Sequence, residues 1–199
     1  MNLLLYPLPT SVNGYRIHTD FRIMIAYETL IRSNKLTEES KIQKILDLFY
    51  IDKPQDVEKA IQGLNWFYQC GDTKKTKQSG GDSAVAYDFE QDDSLILAAF
   101  SQAYGIDLEV ATMHWWKFSA LLVALPKDTL FMEIVGYRVA DLKGMSKEMK
   151  AFYRKQKGKY AIKSNRPKMT LEQRQNAFQQ ELDRKYYEAL KQLQQDKGG

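Results

Sequence analysis

Ser11-Val12-Asn13-Gly14-Tyr15-Arg16-Ile17-His18-Thr19-Asp20-Phe21-Arg22 is the stretch in which strand gives way to helix. Asn13-Gly14 supplies the two positive-φ positions of a type I′ turn between Ser11-Val12 and Tyr15-Arg16-Ile17, which predicts a β-hairpin. The strand signal ends there. Thr19 or Asp20 can cap a helix, and Phe21, Met24, Ile25, Leu30 and Ile31 recur at helical spacing. Ile23, Ala26 and Tyr27 widen the apolar face almost all round, which places this helix at the centre of a core.

Everything downstream also reads as helix. Thr37 caps a segment whose stripe is Ile42, Ile45, Leu46 and Phe49, with Glu38 and Glu39 at the positive end of its dipole. Pro54 is expected in the first turn of the next, along which Val57, Ala60, Ile61, Leu64, Phe67 and Tyr68 recur before Gly71. Residues 71–83 (GDTKKTKQSGGDS) lack any strongly apolar side chain and read as a flexible loop. The acids Asp88, Glu90, Asp92 and Asp93 read as a solvated, capping-rich lead-in to a buried helix, Leu95–Tyr104, stopped by Gly105. Asp107 is expected to cap a helix over 108–125 that ends at Pro126, and Asp128 one over 130–141. Ser146 starts a basic helix through Met149, Phe152, Tyr153 and Tyr160, weakened by Gly158.

The final pattern is the cleanest. Thr170 and Gln173 form a capping box, and Leu171, Phe178, Leu182, Tyr186, Leu190 and Leu193 make one stripe. At 1.5 Å per residue a helix over 171–195 would be about 37 Å long. It either packs back as a last core helix, the commoner outcome, or serves as a docking or self-association helix, for which Phe178, Leu182, Tyr186 and Leu190 are the candidates. The expected fold is thus mainly α: a multi-helix single domain with a short N-terminal β-hairpin over 1–163, and a long C-terminal amphipathic helix over 164–199.

The composition of the 199 residues, 44% hydrophobic and 27% charged, suits a globular protein with a sizeable core. No apolar run reaches the ~20 residues of a bilayer span, so no membrane association is expected. The first residues carry no basic n-region and meet Pro7 and Pro9 early, so an intracellular site of action is expected. The net charge of +4 is uneven: residues 143–199 carry a surplus of nine positive charges and residues 1–142 a deficit of five. Such asymmetry bears on partners rather than fold.

The chemistry-bearing inventory is thin. His18 and His114 are the only histidines and Cys70 the only cysteine, so no metal ligand set and no internal disulfide is visible. No nucleophile elbow, phosphate loop or dinucleotide fingerprint occurs. A non-enzymatic role without cofactors or metals is the expectation.

Two segments are candidates for partner contact. His114-Trp115-Trp116-Lys117-Phe118 falls in the middle of the expected 108–125 helix. Adjacent tryptophans sit about 100° apart on a helix, so one of Trp115 and Trp116 is expected in the core and the other pointing toward a second helix or a partner, core packing being commoner than an interface role. Lys147, Lys150, Arg154, Lys155, Lys157, Lys159 and Lys163 interleave with Phe152, Tyr153 and Tyr160. That patch suits an acidic protein surface, and nucleic acid is the less favoured alternative because no recognised nucleic-acid motif accompanies it.

The hairpin-to-helix residues Asn13 to Arg22, then Met113-His114-Trp115-Trp116-Lys117-Phe118, Leu125-Pro126 and Ile134-Val135-Gly136-Tyr137-Arg138, resemble the bacteriophage Gp15 family from the first residues to about Ile162. The resemblance implies a non-enzymatic protein of tailed phages or prophages, acting in the cytoplasm of the infected or lysogenic host. It further implies a tail assembly chaperone that binds the tape-measure protein; a structural component retained in the virion is the related alternative. Arg22, Lys117 and Arg138 match the family pattern and are expected to have structural roles.

Overall fold

The computed structural model describes residues 4–33, 36–72 and 85–163. The chain divides into two units, Met1–Ile162 and Lys163–Gly199, and the first holds every described element. The expected C-terminal helix, with Phe178, Leu182, Tyr186 and Leu190, lies outside the described residues. So does the loop of 71–83 beyond Asp72.

Strands β1 (Ser11–Val12) and β2 (Tyr15–Arg16) pair antiparallel, Val12 facing Tyr15. Asn13 and Gly14 turn the chain at φ 52° and 84°, the positive pair that a two-residue hairpin demands. Among the described residues seven helices follow: α1 (Phe21–Arg32), α2 (Glu38–Phe49), α3 (Val57–Tyr68), α4 (Asp93–Tyr104), α5 (Trp115–Val123), α6 (Leu130–Val139) and α7 (Lys147–Lys159). The described residues are mainly helical, with the hairpin their only sheet.

Local chemistry sets most helix starts. Asp20, Thr37 and Ser146 accept the N–H groups of Arg22 (3.0 Å), Ser40 (3.3 Å) and Met149 (3.2 Å), as the sequence predicts. Two caps differ from expectation by a residue or more. α3 is capped by Asp56, which accepts from Lys59 N at 3.0 Å; the chain before it is tied to the hairpin at Ile51 and Asp52, through Ile51 N on Arg16 O and the Arg16–Asp52 ion pair. Pro54 therefore lies before the helix rather than in its first turn. α6 is capped by the buried Thr129 and not by Asp128, since the Thr129 hydroxyl reaches both Met132 N and the Pro126 carbonyl.

The expected helix over 108–125 does not form as one piece. Asp107 caps only a single turn, accepting from Glu109 N at 2.8 Å. The Arg22 guanidinium then takes the carbonyls of Leu108 (2.6 Å), Glu109 (3.1 Å) and Ala111 (3.0 Å), oxygens that a continuing helix would need for its own ladder. Helix resumes at Trp115, capped by His114.

Among the described residues the core is rich in aromatic rings and is drawn from six helices, α1 to α6. Phe118 stacks on Phe21 (4.5 Å between centroids) and on Phe100 (5.1 Å), while Phe49 and Phe67 meet at 5.2 Å. Burial along α1 falls on Phe21, Met24, Tyr27, Glu28, Ile31 and Arg32, so Ile25 and Leu30 are only half-buried. In α2 the stripe is Lys41, Ile45, Leu46 and Phe49, with Ile42 half-buried, and in α3 Val57 is exposed. α4 is not the buried helix its composition suggests: only Ile96, Ala99 and Phe100 are buried, because it packs on α6 along one face and leaves Leu97 outside. α7, which packs on α6, has no buried residue at all.

Candidate partner-binding surface

The two segments that carry the family resemblance meet in space. Residues 19–22 and 113–116 form a backbone seam: Phe21 N donates to Met113 O (2.9 Å) and Trp115 N to Thr19 O (2.8 Å). Asp20 uses one carboxylate oxygen to cap α1 and the other to accept Met113 N at 3.3 Å. His114 completes the seam. Its Nδ1 accepts Trp116 N (3.0 Å), which leaves Nε2 to donate to the Pro9 carbonyl (3.0 Å), and burial holds its pKa below the ordinary value. This is a structural joint in which every named polar group has an intramolecular partner.

The tryptophans take the commoner of the two expected places, the core, and neither is the partner-facing residue of the alternative. Trp115 and Trp116 are both buried, at 4% and 1% exposure, so neither faces outward. Because α5 begins at Trp115, both rings fall beside α3, where the carbonyls at its C-terminal end remain free to accept. Trp115 Nε1 donates to Tyr68 O (2.8 Å) and Trp116 Nε1 to Phe67 O (2.7 Å). The outward positions of α5 are Lys117, Ala120 and Val123.

The acids before α4 also depart from expectation. Asp88 and Asp92 are buried, at 3% and 1% exposure, where a solvated loop is predicted; Glu90 and Asp93 are exposed. Asp88 pairs with Arg32 of α1 at 2.7 Å, and Arg32 also pairs with Glu28 at 2.9 Å. Glu28 in turn accepts the Tyr68 hydroxyl, whose pKa is raised chiefly by burial. Asp92 receives a two-pronged contact from Arg138 of α6 (2.6 and 2.9 Å), and Arg138 also donates to the carbonyls of Tyr160 (2.7 Å) and Ala86 (3.2 Å). Arg22 and Arg138 thus act as structural clamps, and Lys117 lies exposed.

Among the described residues no group of three or more His, Cys, Asp or Glu is placed to hold a metal, and no helix is long and apolar enough to cross a membrane. Cys70 is half-buried, and burial raises its thiol pKa.

The α7 surface remains. Met149, Phe152, Tyr153 and Gln156 recur at three- and four-residue spacing on one side of α7, yet Met149 and Phe152 stay 47% and 45% exposed. Tyr137 of α6 underlies them. It meets Phe152 and Tyr153 edge-on and stacks on Tyr160, each at 6.0 Å. Its hydroxyl donates to Glu133, which pushes its pKa up to about 12.

Around this patch stand Lys147, Lys150, Arg154, Lys155, Lys157 and Lys159. Lys150 and Lys157 are half-buried and the others exposed; Lys163, the last described residue, is exposed too. The structure thus gathers the basic residues of α7 on one helix. It adds Tyr137 and Met149, which the sequence reading does not single out as surface residues. The i, i+4 pair Glu133–Tyr137 is the only sequence signal that could have found the first of them.

The family model described as Bacteriophage Gp15 protein matches residues 4–162, and the chain belongs to that family. No curated protein and no solved structure matches.

Proposed function

From membership of the phage Gp15 family, we propose that this phage-related protein is a non-enzymatic tail assembly chaperone that binds the tape-measure protein during tail morphogenesis. A chaperone for a helical client needs amphipathic surface whose contacts are individually weak enough to be displaced. The observation that carries the reading is α7: a four-turn helix with an apolar stripe, no buried residue and an uncompensated positive charge. The conspicuous aromatic and charged residues elsewhere support it by default, because Trp115, Trp116, Asp88, Asp92, Arg22 and Arg138 are all consumed in holding the fold. The protein acts in the host cytoplasm and leaves before the tail is complete.

Co-expression with the tape-measure protein of the same phage or prophage tests the proposal. The expected result is a soluble, co-purifying complex, with the chain absent from purified virions by mass spectrometry. An insoluble client and no complex would refute the chaperone reading. Abundant copies in the virion would make the protein a structural tail component instead.

A further inference from the structure

We propose that the exposed stripe of α7, together with Tyr137, docks a helix of another protein whose own apolar ridge is flanked by Asp and Glu. From the proposed function this takes only the premise that the protein binds a protein; the chemistry and the place come from α7 itself.

The apolar side of the argument is geometric. Met149, Phe152, Tyr153 and Gln156 form a ridge with the spacing that a second helix fills by packing ridge into groove. Every other described helix buries at least three residues, whereas α7 buries none. Its apolar residues are therefore half-covered by α6 and otherwise open. The charge argument is independent of that geometry. α7 carries six basic residues against one acid, Glu148, and among the described residues none of the six is within ion-pair distance of a carboxylate. On a helical wheel Lys150 and Lys157 border one side of the ridge, Lys155 and Lys159 the other. An occupant with acids on both borders would pair with them, and a second copy of α7 would meet its own charge.

Nucleic acid fits less well. Tyr137 and Tyr160 stack on one another, and Tyr137, Phe152 and Tyr153 meet edge to face, so the rings pack against each other and do not present a row of parallel faces for successive bases.

The test uses the full chain and a labelled synthetic helix of about 20 residues, with a Leu ridge bordered by Glu, read by fluorescence anisotropy. A twin bordered by Lys and a single-stranded oligonucleotide are the controls. The expected result is binding of the Glu peptide alone. That binding should weaken about tenfold in Lys150→Glu/Arg154→Glu/Lys157→Glu, and about tenfold in Phe152→Ser, the loss typical of one anchor residue. Circular dichroism should show both variants folded, since none of the four residues is buried.

Failure of the folded wild type to bind the Glu peptide, or equal binding of the Lys twin, overturns the proposal. Oligonucleotide binding lost in the triple variant assigns the face to nucleic acid instead, and self-association abolished by Phe152→Ser assigns it to a second copy. The two readings fail separately. A tape-measure complex that survives the triple variant removes this face and leaves the chaperone. Peptide binding without a tape-measure complex does the reverse.

Discussion

Replacing Asp92 by Asn should cost this protein about 3 kcal/mol, at the lower end of the range for breaking a buried ion pair by removing one partner. Asp92 and Arg138 are nearly inaccessible, and two guanidinium–carboxylate hydrogen bonds of 2.6 and 2.9 Å join them. Asparagine keeps the shape but turns an NH₂ toward the guanidinium and leaves the cation buried without its anion. Arg138→Met should cost about 4 kcal/mol, because it also strands the carbonyls of Tyr160 and Ala86 that Arg138 now satisfies. Once the charge is gone from either side, little remains for the second substitution to lose. The double variant should therefore cost about 4 rather than about 7 kcal/mol, a coupling near 3 kcal/mol. Urea unfolding followed by tryptophan emission reads all three values, and the Asp92→Asn midpoint should fall by about 6–12 °C in a thermal scan. Single substitutions that add to within about 0.5 kcal/mol would show that the pair is not coupled, and the reasoning from burial would fail.

Four further outcomes are expected. A Cβ on Gly63 would stand 2.5 Å from Val12 Cγ1 and 2.9 Å from the Tyr50 hydroxyl, so Gly63→Ala should destabilise by about 1–3 kcal/mol. Gly158→Ala, in open space on α7, should instead stabilise by about 0.5–1 kcal/mol, and chemical denaturation separates the two signs. Burial holds the His114 pKa below its ordinary value, so on acidification the unfolded chain takes up the proton first. Stability is then complete above about pH 6.5 and declines as the pH falls through the unfolded value toward the folded one. His114→Asn keeps a side chain that can cap α5 and should flatten part of the change in Tm between pH 7.5 and 5.5; an unchanged slope would contradict the assignment. Trp116→Ala removes a fully buried ring and should cost about 3–5 kcal/mol by equilibrium unfolding, with a cost near zero refuting its place in the core.

The hairpin and most helices were legible because their signals are local. Asn13-Gly14 demands its turn, and Asp20, Thr37 and Ser146 cap within three residues of themselves. The errors share one cause. Arg22 reaches 86 to 89 residues along the chain to take the carbonyls that would have extended a helix through 108–114. Arg32 and Arg138 likewise draw Asp88 and Asp92 inward from 56 and 46 residues away. Such tertiary capture leaves no trace in periodicity. The partner for each tryptophan was equally hidden: with α5 starting at Trp115, both rings lie against α3, and two carbonyls there accept both indoles. The basic helix was legible as charge, whereas its incomplete burial was not, because a stripe of the same spacing is normally covered.

The seam between residues 18–22 and 113–116 also fixes an order of events. The hairpin and α1 are synthesised first, but the groups that complete their junction, Met113, His114 and Trp115, arrive some 90 residues later. Contacts of such separation must overcome loop-closure entropy before they contribute anything, so they form late and slowly. A nascent chain that has not reached residue 115 leaves the Asp20 carboxylate and the Pro9 carbonyl waiting for partners. The junction between the two earliest-made elements is thus among the last parts to be secured. α7, which adds nothing to the core, is made only after the chain that secures it is complete.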